Sequence, residues 1–202
     1  MEDKYFSITQ NAEGIFKEKG SKFIGIAYSF DDEQKLKGIL DLLKKEHPSA
    51  RHFCYAYRIG SKGEIFRSND DGEPAGSAGK PILNTLLSNQ ITNVLVVVVR
   101  YFGGSLLGVP GLINAYKEAS LACLHLAGKK ECISEDVYQV NFKYEKLNAF
   151  MKILKASKIS ILHQQIDQAC QFEIKIRQSM TKEILEVIQQ QITHETQYIK
   201  TL

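Results

Sequence analysis

Apolar side chains run without a break over Val94-Leu-Val-Val-Val-Val99. A strand with one wet face alternates, so a continuous run of this length predicts a strand buried on both faces. The period changes around it. Phe23–Phe30 reads as a strand. The spacing of Ile39, Leu40 and Leu43 predicts a helix that Asp31 or Asp32 can cap and that stops before His47-Pro48. Phe53–Ile59 and Glu64–Arg67 read as strands joined at Gly60-Ser-Lys-Gly63. A helix opens at Lys80-Pro81, with proline at its first position. A long helix follows Gly111, with Leu112, Ile113, Tyr116, Ala119, Leu124 and Leu126 for its buried side.

The last third has its own rhythm. Val137–Tyr144 alternates as a strand, and Glu145–Ser157 has helical spacing through Leu147, Phe150, Met151 and Leu154. Ile159–Asp167 and Cys170–Arg177 read as strands. Ser179 or Thr181 can cap a helix with Ile184, Leu185, Ile188 and Ile192 on one side, and Tyr198 and Ile199 suit a final strand. The order β-α-β-β-α-β is that of the ferredoxin-like unit. Ala127-Gly-Lys-Lys-Glu-Cys-Ile-Ser134 reads as a charged connector, with Gly128 suited to a helix end. The expectation is an α+β protein of two domains, residues 1–133 and 134–202.

Length and charge narrow this picture only slightly. A chain of 202 residues can bury a substantial core, and a net charge of +3 is too small to declare a nucleic-acid binder. Cys54, Cys123, Cys132 and Cys170 match no zinc or redox spacing and suit reduced thiols. The charged start Met1-Glu-Asp-Lys has no apolar stretch after it, so no secretory signal is expected. No apolar run approaches a membrane span. A cytoplasmic protein without a membrane partner is the expectation.

Two glycine-rich loops carry the candidate chemistry, Asn69–Pro81 and Arg100–Gly111. Backbone N–H groups at Gly76, Ser77 and Gly79 precede one helix, and those at Gly103 and Gly104 precede another. Such groups can converge on an anion. The same glycines, with Gly72, equally suit tight turns. Neither loop has Walker or dinucleotide-binding spacing, so no nucleotide cofactor is assigned. Asp70, Asp71 and Glu73 can act as acid and base, or can orient Arg100 or Lys80 by charge-assisted hydrogen bonds. Their spacing matches no calcium loop, and no metal is assigned. Arg51, His52, Tyr55, Tyr57 and Arg58 mix cations with aromatics, a mixture that can pair with phosphates and stack on bases. Strand alternation puts Tyr55 and Tyr57 on one face, with Cys54, Ala56 and Arg58 on the other. His52 has no nucleophile beside it, and Ser21 and Ser77 have no activating base, so no catalytic residue is assigned.

At these loops the chain resembles the IMPACT family, in particular its bacterial two-domain YigZ-type members. The resemblance is carried by Ser21-Lys22-Phe23-Ile24, by His47-Pro48 with Arg51-His52-x-Cys54-x-Ala56-Tyr57, by Asp70-Asp71-Gly72-Glu73-Pro74-x-Gly76-Ser77-Ala78-Gly79-Lys80-Pro81, and by Arg100-Tyr101-Phe102-Gly103-Gly104 with Leu107-Gly108 and Ala115-Tyr116. It implies a first domain like a small-subunit ribosomal protein's C-terminal domain, a fold shared with GHMP kinases and the fourth domain of elongation factor G. It also implies a second domain similar to that factor's fifth. The family's eukaryotic member regulates translation by competing with a stress kinase for its activator protein. In many relatives Leu106 and Asn114 are replaced by cations.

Three functions stay open. The first is RNA or ribosome binding linked to translation. Its candidate contacts are Lys22, Arg51, His52, Tyr55, Arg58, Lys80, Arg100, Tyr101 and Lys117, beside a loop motif of Asp70, Asp71, Gly72, Glu73, Gly76, Ser77, Gly79, Phe102, Gly103 and Gly104. The second is a protein-interaction module that competes for a translation-regulatory partner. The third is an enzyme acting on a phosphorylated substrate, with Asp71 or Glu73 as base.

Overall fold

A computed structural model describes residues 3–192 and 195–202. The chain forms two compact units. One is Tyr5–Cys132, and the other is Ile133–Leu202 with Asp3 and Lys4.

The apolar run is the middle of the first unit. It forms most of β6 (Val94–Tyr101), the central strand of an antiparallel sheet ordered β2 (Ala12–Glu18), β3 (Ser21–Ser29), β6, β4 (His52–Ile59), β5 (Ile65–Asn69). Helices cover both faces, which is why the run does not alternate. Val94, Val96 and Val98 pack with α2 (Gly79–Ser88) and α3 (Gly108–Ala127). Leu95, Val97 and Val99 pack with α1 (Lys35–Glu46) on the other side. Each such side chain is worth about 1.5–3 kcal/mol relative to leaving it in water. The helix α3 lies close to the sheet because Gly25 has no side chain. A Cβ there would sit 2.2 Å from the Ala119 carbonyl oxygen.

Several local expectations differ from what forms. Two strands precede the first one expected from the sequence, β1 (Lys4–Ile8) and β2. β1 pairs with β7 (Lys129–Ile133), so the charged segment expected as a connector is largely a strand. Neither acidic residue caps α1. Asp31 pairs with Lys35 at 2.6 Å, and Asp32 accepts from the Gln34 N–H at 2.9 Å. Ile113 and Leu126 are exposed, because the stripe of α3 facing the sheet runs through Leu112, Ala115, Tyr116, Ala119 and Cys123.

The second unit runs β8 (Glu135–Lys143), α4 (Leu147–Ala156), β9 (Ser160–Ile166), β10 (Ala169–Arg177), α5 (Thr181–Gln191), β11 (Thr196–Thr201). Its antiparallel sheet has the order β11-β8-β10-β9. Alternate residues Val140, Phe142, Phe172, Ile174 and Ile176 meet Phe150, Leu154, Ile184 and Ile188 of the two helices. Thr181 caps nothing; its hydroxyl donates to Asp136 at 3.0 Å. Among the described residues no helix is long and apolar enough to cross a membrane. The charged start at residues 1 and 2 lies outside the described residues.

Candidate functional site

The first glycine loop leaves β5 and turns into α2. Its anion is one of its own side chains. Asp70 Oδ1 accepts from the N–H groups of Ala78 at 3.0 Å and Gly79 at 2.8 Å, and Oδ2 accepts from Gly76 at 2.9 Å. A carboxylate at a helix N-terminus is favoured by unpaired N–H groups and by the dipole. The expected external anion at Gly76 and Gly79 is therefore replaced by Asp70. Ser77 is buried and donates to the Pro74 carbonyl at 2.6 Å, while Gly72 takes φ 85° in the turn. Asp71 is also spent: its Oδ2 accepts from the Phe53 N–H at 2.7 Å. Its carbonyl lies 2.9 Å from His52 Nδ1. A carbonyl only accepts, so Nδ1 carries the hydrogen and Nε2 is the uncommitted ring nitrogen.

Glu73 turns inward. Its Oε1 accepts from Arg100 Nη1 at 2.5 Å and from the Tyr116 hydroxyl at 2.8 Å. The sulfur of Cys54 lies 3.3 Å from the Tyr116 oxygen and 3.0 Å from the Asp70 carbonyl. One buried polar chain thus joins the first loop to β4, β6 and α3. Burial, the largest cause, pushes both the Cys54 thiol and the Tyr116 phenol well above their ordinary values, so both keep their protons. The Arg100 guanidinium lies 5.4 Å from the Phe23 ring centre and 5.7 Å from that of Phe102. Its Nε is buried without a hydrogen-bond partner among the described residues, a deficit worth about 1–3 kcal/mol. Each carboxylate of this loop holds a donor of the protein itself: Asp70 and Asp71 accept from backbone N–H groups, and Glu73 accepts from Arg100 and Tyr116.

The second loop closes the site. Gly103 sits against the β2–β3 turn, where an added Cβ would fall 1.9 Å from the Gly20 carbonyl carbon. Its N–H donates to the Ser21 hydroxyl at 3.1 Å. Gly104 adopts φ 86°, as this turn requires. His52 and Arg100 are directly paired across β4 and β6. With Ser49, Arg51, Tyr101 and Phe102 they line a cavity of 370 Å³. Lys22 pairs with Tyr101 across β3 and β6, and the Tyr101 hydroxyl lies 2.8 Å from His47 Nδ1.

The remaining candidates lie elsewhere. Lys80 and Lys117 flank a separate groove of 440 Å³ between α2 and α3, floored by Pro81 and Ile113. Arg58 sits opposite Val94, about 20 Å along β6 from Arg100 by the rise of a strand. Its guanidinium donates to the carbonyls of Ile91 at 2.9 Å and Lys62 at 3.1 Å, and burial pulls its pKa down. Arg58 is thus a structural residue. Tyr55 is corrected too: it is 6% exposed beneath the α1 layer and stacks near Tyr57, so it offers no face to a base. Tyr116 is a site residue that sequence reasoning missed. Its signal is a phenol on the buried stripe of a helix, where the hydroxyl needs a partner.

The Impact N-terminal domain family matches residues 19–124, from the β2–β3 turn through most of α3. The chain belongs to the IMPACT family. It is 30% identical over 186 residues to an IMPACT family member of Haemophilus influenzae, covering 90% of this chain and 88% of that protein. It is 31% identical over 181 residues to the family member YvyE of Bacillus subtilis, covering 90% and 83%. To YigZ of Escherichia coli it is 42% identical over 100 residues, 48% of this chain and 49% of that one. A crystal structure of a hypothetical protein, 25% identical, superposes with a TM-score of 0.71 over 98% of both chains. Every IMPACT-family residue placed in the site above falls within 19–124.

Proposed function

We propose that this IMPACT-family chain is a binding protein in the regulation of translation, acting in the cytoplasm, and that its Tyr5–Cys132 unit contacts RNA or ribosomal RNA. The observation that carries the reading is the gathering of Arg51, His52 and Arg100 around one cavity, beside the rings of Tyr101 and Phe102. Cations fixed beside aromatic edges bind phosphates and unstacked bases without needing a particular sequence. Lys22, paired across the sheet with Tyr101, and Lys80 and Lys117 in the separate groove add phosphate contacts. The family's eukaryotic link to translation agrees. We read the first unit as the ribosomal-protein-like fold that the resemblance implies. We read the second as ferredoxin-like, supported by its βαββαβ order and its β11-β8-β10-β9 sheet.

Titration of the purified protein with ribosomes, tRNA and single-stranded RNA over a range of salt tests this reading. Affinity should fall with salt by about 0.7 in the log–log slope per single-strand phosphate contact. Arg51→Ala and Lys80→Ala should each make the slope shallower while preserving the fold, since exposed cations add little to stability. A regulatory protein partner is the second reading. It is favoured by Leu106, 86% exposed, and by Val109 and Ile113, exposed on the same stripe of α3 as Lys117. Absence of RNA and ribosome affinity at low salt would decide for it.

A further inference from the structure

We infer that the cavity bounded by Ser49, Arg51, His52, Arg100, Tyr101 and Phe102 is a receptor for a terminal phosphate monoester, on an RNA end or a single nucleotide. The inference rests on the RNA reading above but specifies which chemical group the site selects.

Size comes first. A volume of 370 Å³ lies at the small end of ligand pockets and suits one nucleotide rather than a strand. Depth comes next. Arg100 is only 6% exposed, while Arg51 stands in solvent, so the cations line the cavity from its wall to its mouth. A chain end can insert its phosphate to that depth. An internal phosphodiester, tethered on both sides, would have to drag two nucleosides in with it.

Donor capacity agrees. Arg100 spends Nη1 on Glu73, and its Nε, without a partner among the described residues, is shut off from solvent, so that N–H is not a donor to the cavity. His52 spends Nδ1 on the Asp71 carbonyl, and its Nε2 has no hydrogen-bond partner among the described residues. The Asp71 carboxylate on the same loop accepts from the Phe53 N–H. Glu73 offsets the charge of Arg100, so among the described residues Arg51 is the cavity cation whose charge is not already matched by a carboxylate contact. The bidentate fork of an arginine suits the oxygens of a monoester, which carries more charge than a diester. Phe102 is 55% exposed at the same cavity and can take the attached base on its ring.

The test uses the full chain and one short single-stranded RNA prepared with a 5′-phosphate, with a 3′-phosphate, or with hydroxyls at both ends, together with a nucleoside monophosphate. Fluorescence anisotropy should show one phosphorylated end bound about tenfold tighter than the hydroxyl-ended RNA, as a charge-assisted contact warrants. The choice between 5′ and 3′ identifies the end. Arg51→Ala and Phe102→Ala alter exposed side chains and should keep the wild-type melting curve while removing the preference. Equal binding of all three RNAs, or a preference that survives Arg51→Ala, overturns the monoester receptor and leaves general RNA binding standing. Saturable binding of the monophosphate that Arg51→Ala abolishes, without affinity for any RNA, upholds the receptor and overturns the RNA reading. Absence of binding to every phosphorylated probe overturns the receptor.

Discussion

Arg100 donates to Glu73 at 2.5 Å, with both side chains almost fully buried and 27 positions apart in the chain. The contact ties the end of the central strand to the first glycine loop and brings Tyr116 of α3 onto the same carboxylate oxygen. Two charges out of water are tolerable only as a pair, so losing one strands the other. Glu73→Ala should cost about 3–5 kcal/mol, read from urea unfolding. Arg100→Ala should cost a similar amount. The double replacement should cost clearly less than the sum, because each single change already includes the penalty of the abandoned partner. Additive losses would show that the two side chains do not act as a unit.

Asp70 fills a cradle of backbone donors that other proteins offer to phosphate. Its three N–H contacts end the first loop and start α2. Asp70→Ala should destabilise the protein by about 2 kcal/mol, the scale of a lost cap with buried donors left open. Added formate should raise the melting temperature of Asp70→Ala more than that of the wild type, since a small carboxylate can re-enter the vacated place. A loss without formate rescue would mean that the loop rearranges once the side chain is gone.

Much of this architecture is legible in the sequence because period and burial agree. The unbroken Val94–Val99 run is central and covered on both faces. The alternation placing Tyr55 and Tyr57 opposite Cys54 and Ala56 matches the two core clusters. The pairing of Arg100 with a loop carboxylate follows from the cost of an unpaired guanidinium beside an apolar strand, although nothing in the pattern singles out Glu73. The errors share a physical origin. β1 and the mostly polar β7 find each other across some 120 positions, and no local pattern encodes such a partner. Residue type alone suggests Tyr55 and Arg58 as contacts, yet availability depends on which layer covers a face and which carbonyls lie at a strand end. Asp70 is legible as turn chemistry but not as the occupant of its own loop's anion cradle.

Two glycines should respond in opposite directions to the same change. A Cβ on Gly25 would collide with the backbone of α3, 2.2 Å from the Ala119 oxygen. Neither the strand nor the helix can yield locally, so Gly25→Ala should cost about 3 kcal/mol or more. Gly38 lies inside α1, where an added Cβ would meet nothing within 4 Å. Gly38→Ala should add about 0.5–1 kcal/mol through helix propensity and a less disordered unfolded chain. Chemical denaturation of the two variants checks both signs; equal effects would contradict the close approach of α3 to the sheet.

Alkaline pH should unfold the first unit by stripping protons that burial holds in place. Tyr57 is pushed up to about 12 from its ordinary 10, first by burial and then by Glu33, which accepts its hydroxyl proton. Cys123 is pushed up to about 12 from 9, mainly by burial, and the Cys54 thiol and Tyr116 phenol are displaced in the same direction. A folded-state pKa above the unfolded one means that the folded form binds the proton more tightly. That contribution is complete below the unfolded values and disappears as pH climbs through the folded ones. Unfolding free energy should therefore decline from about pH 9 and fall steeply toward pH 12. Tyr57→Phe has no proton to lose and should flatten the upper part of that decline. A tyrosinate absorbance titration should show the buried phenols ionising together with the loss of helical circular dichroism, after the exposed ones. An unchanged slope in Tyr57→Phe would mean that its hydroxyl ionises without regard to folding.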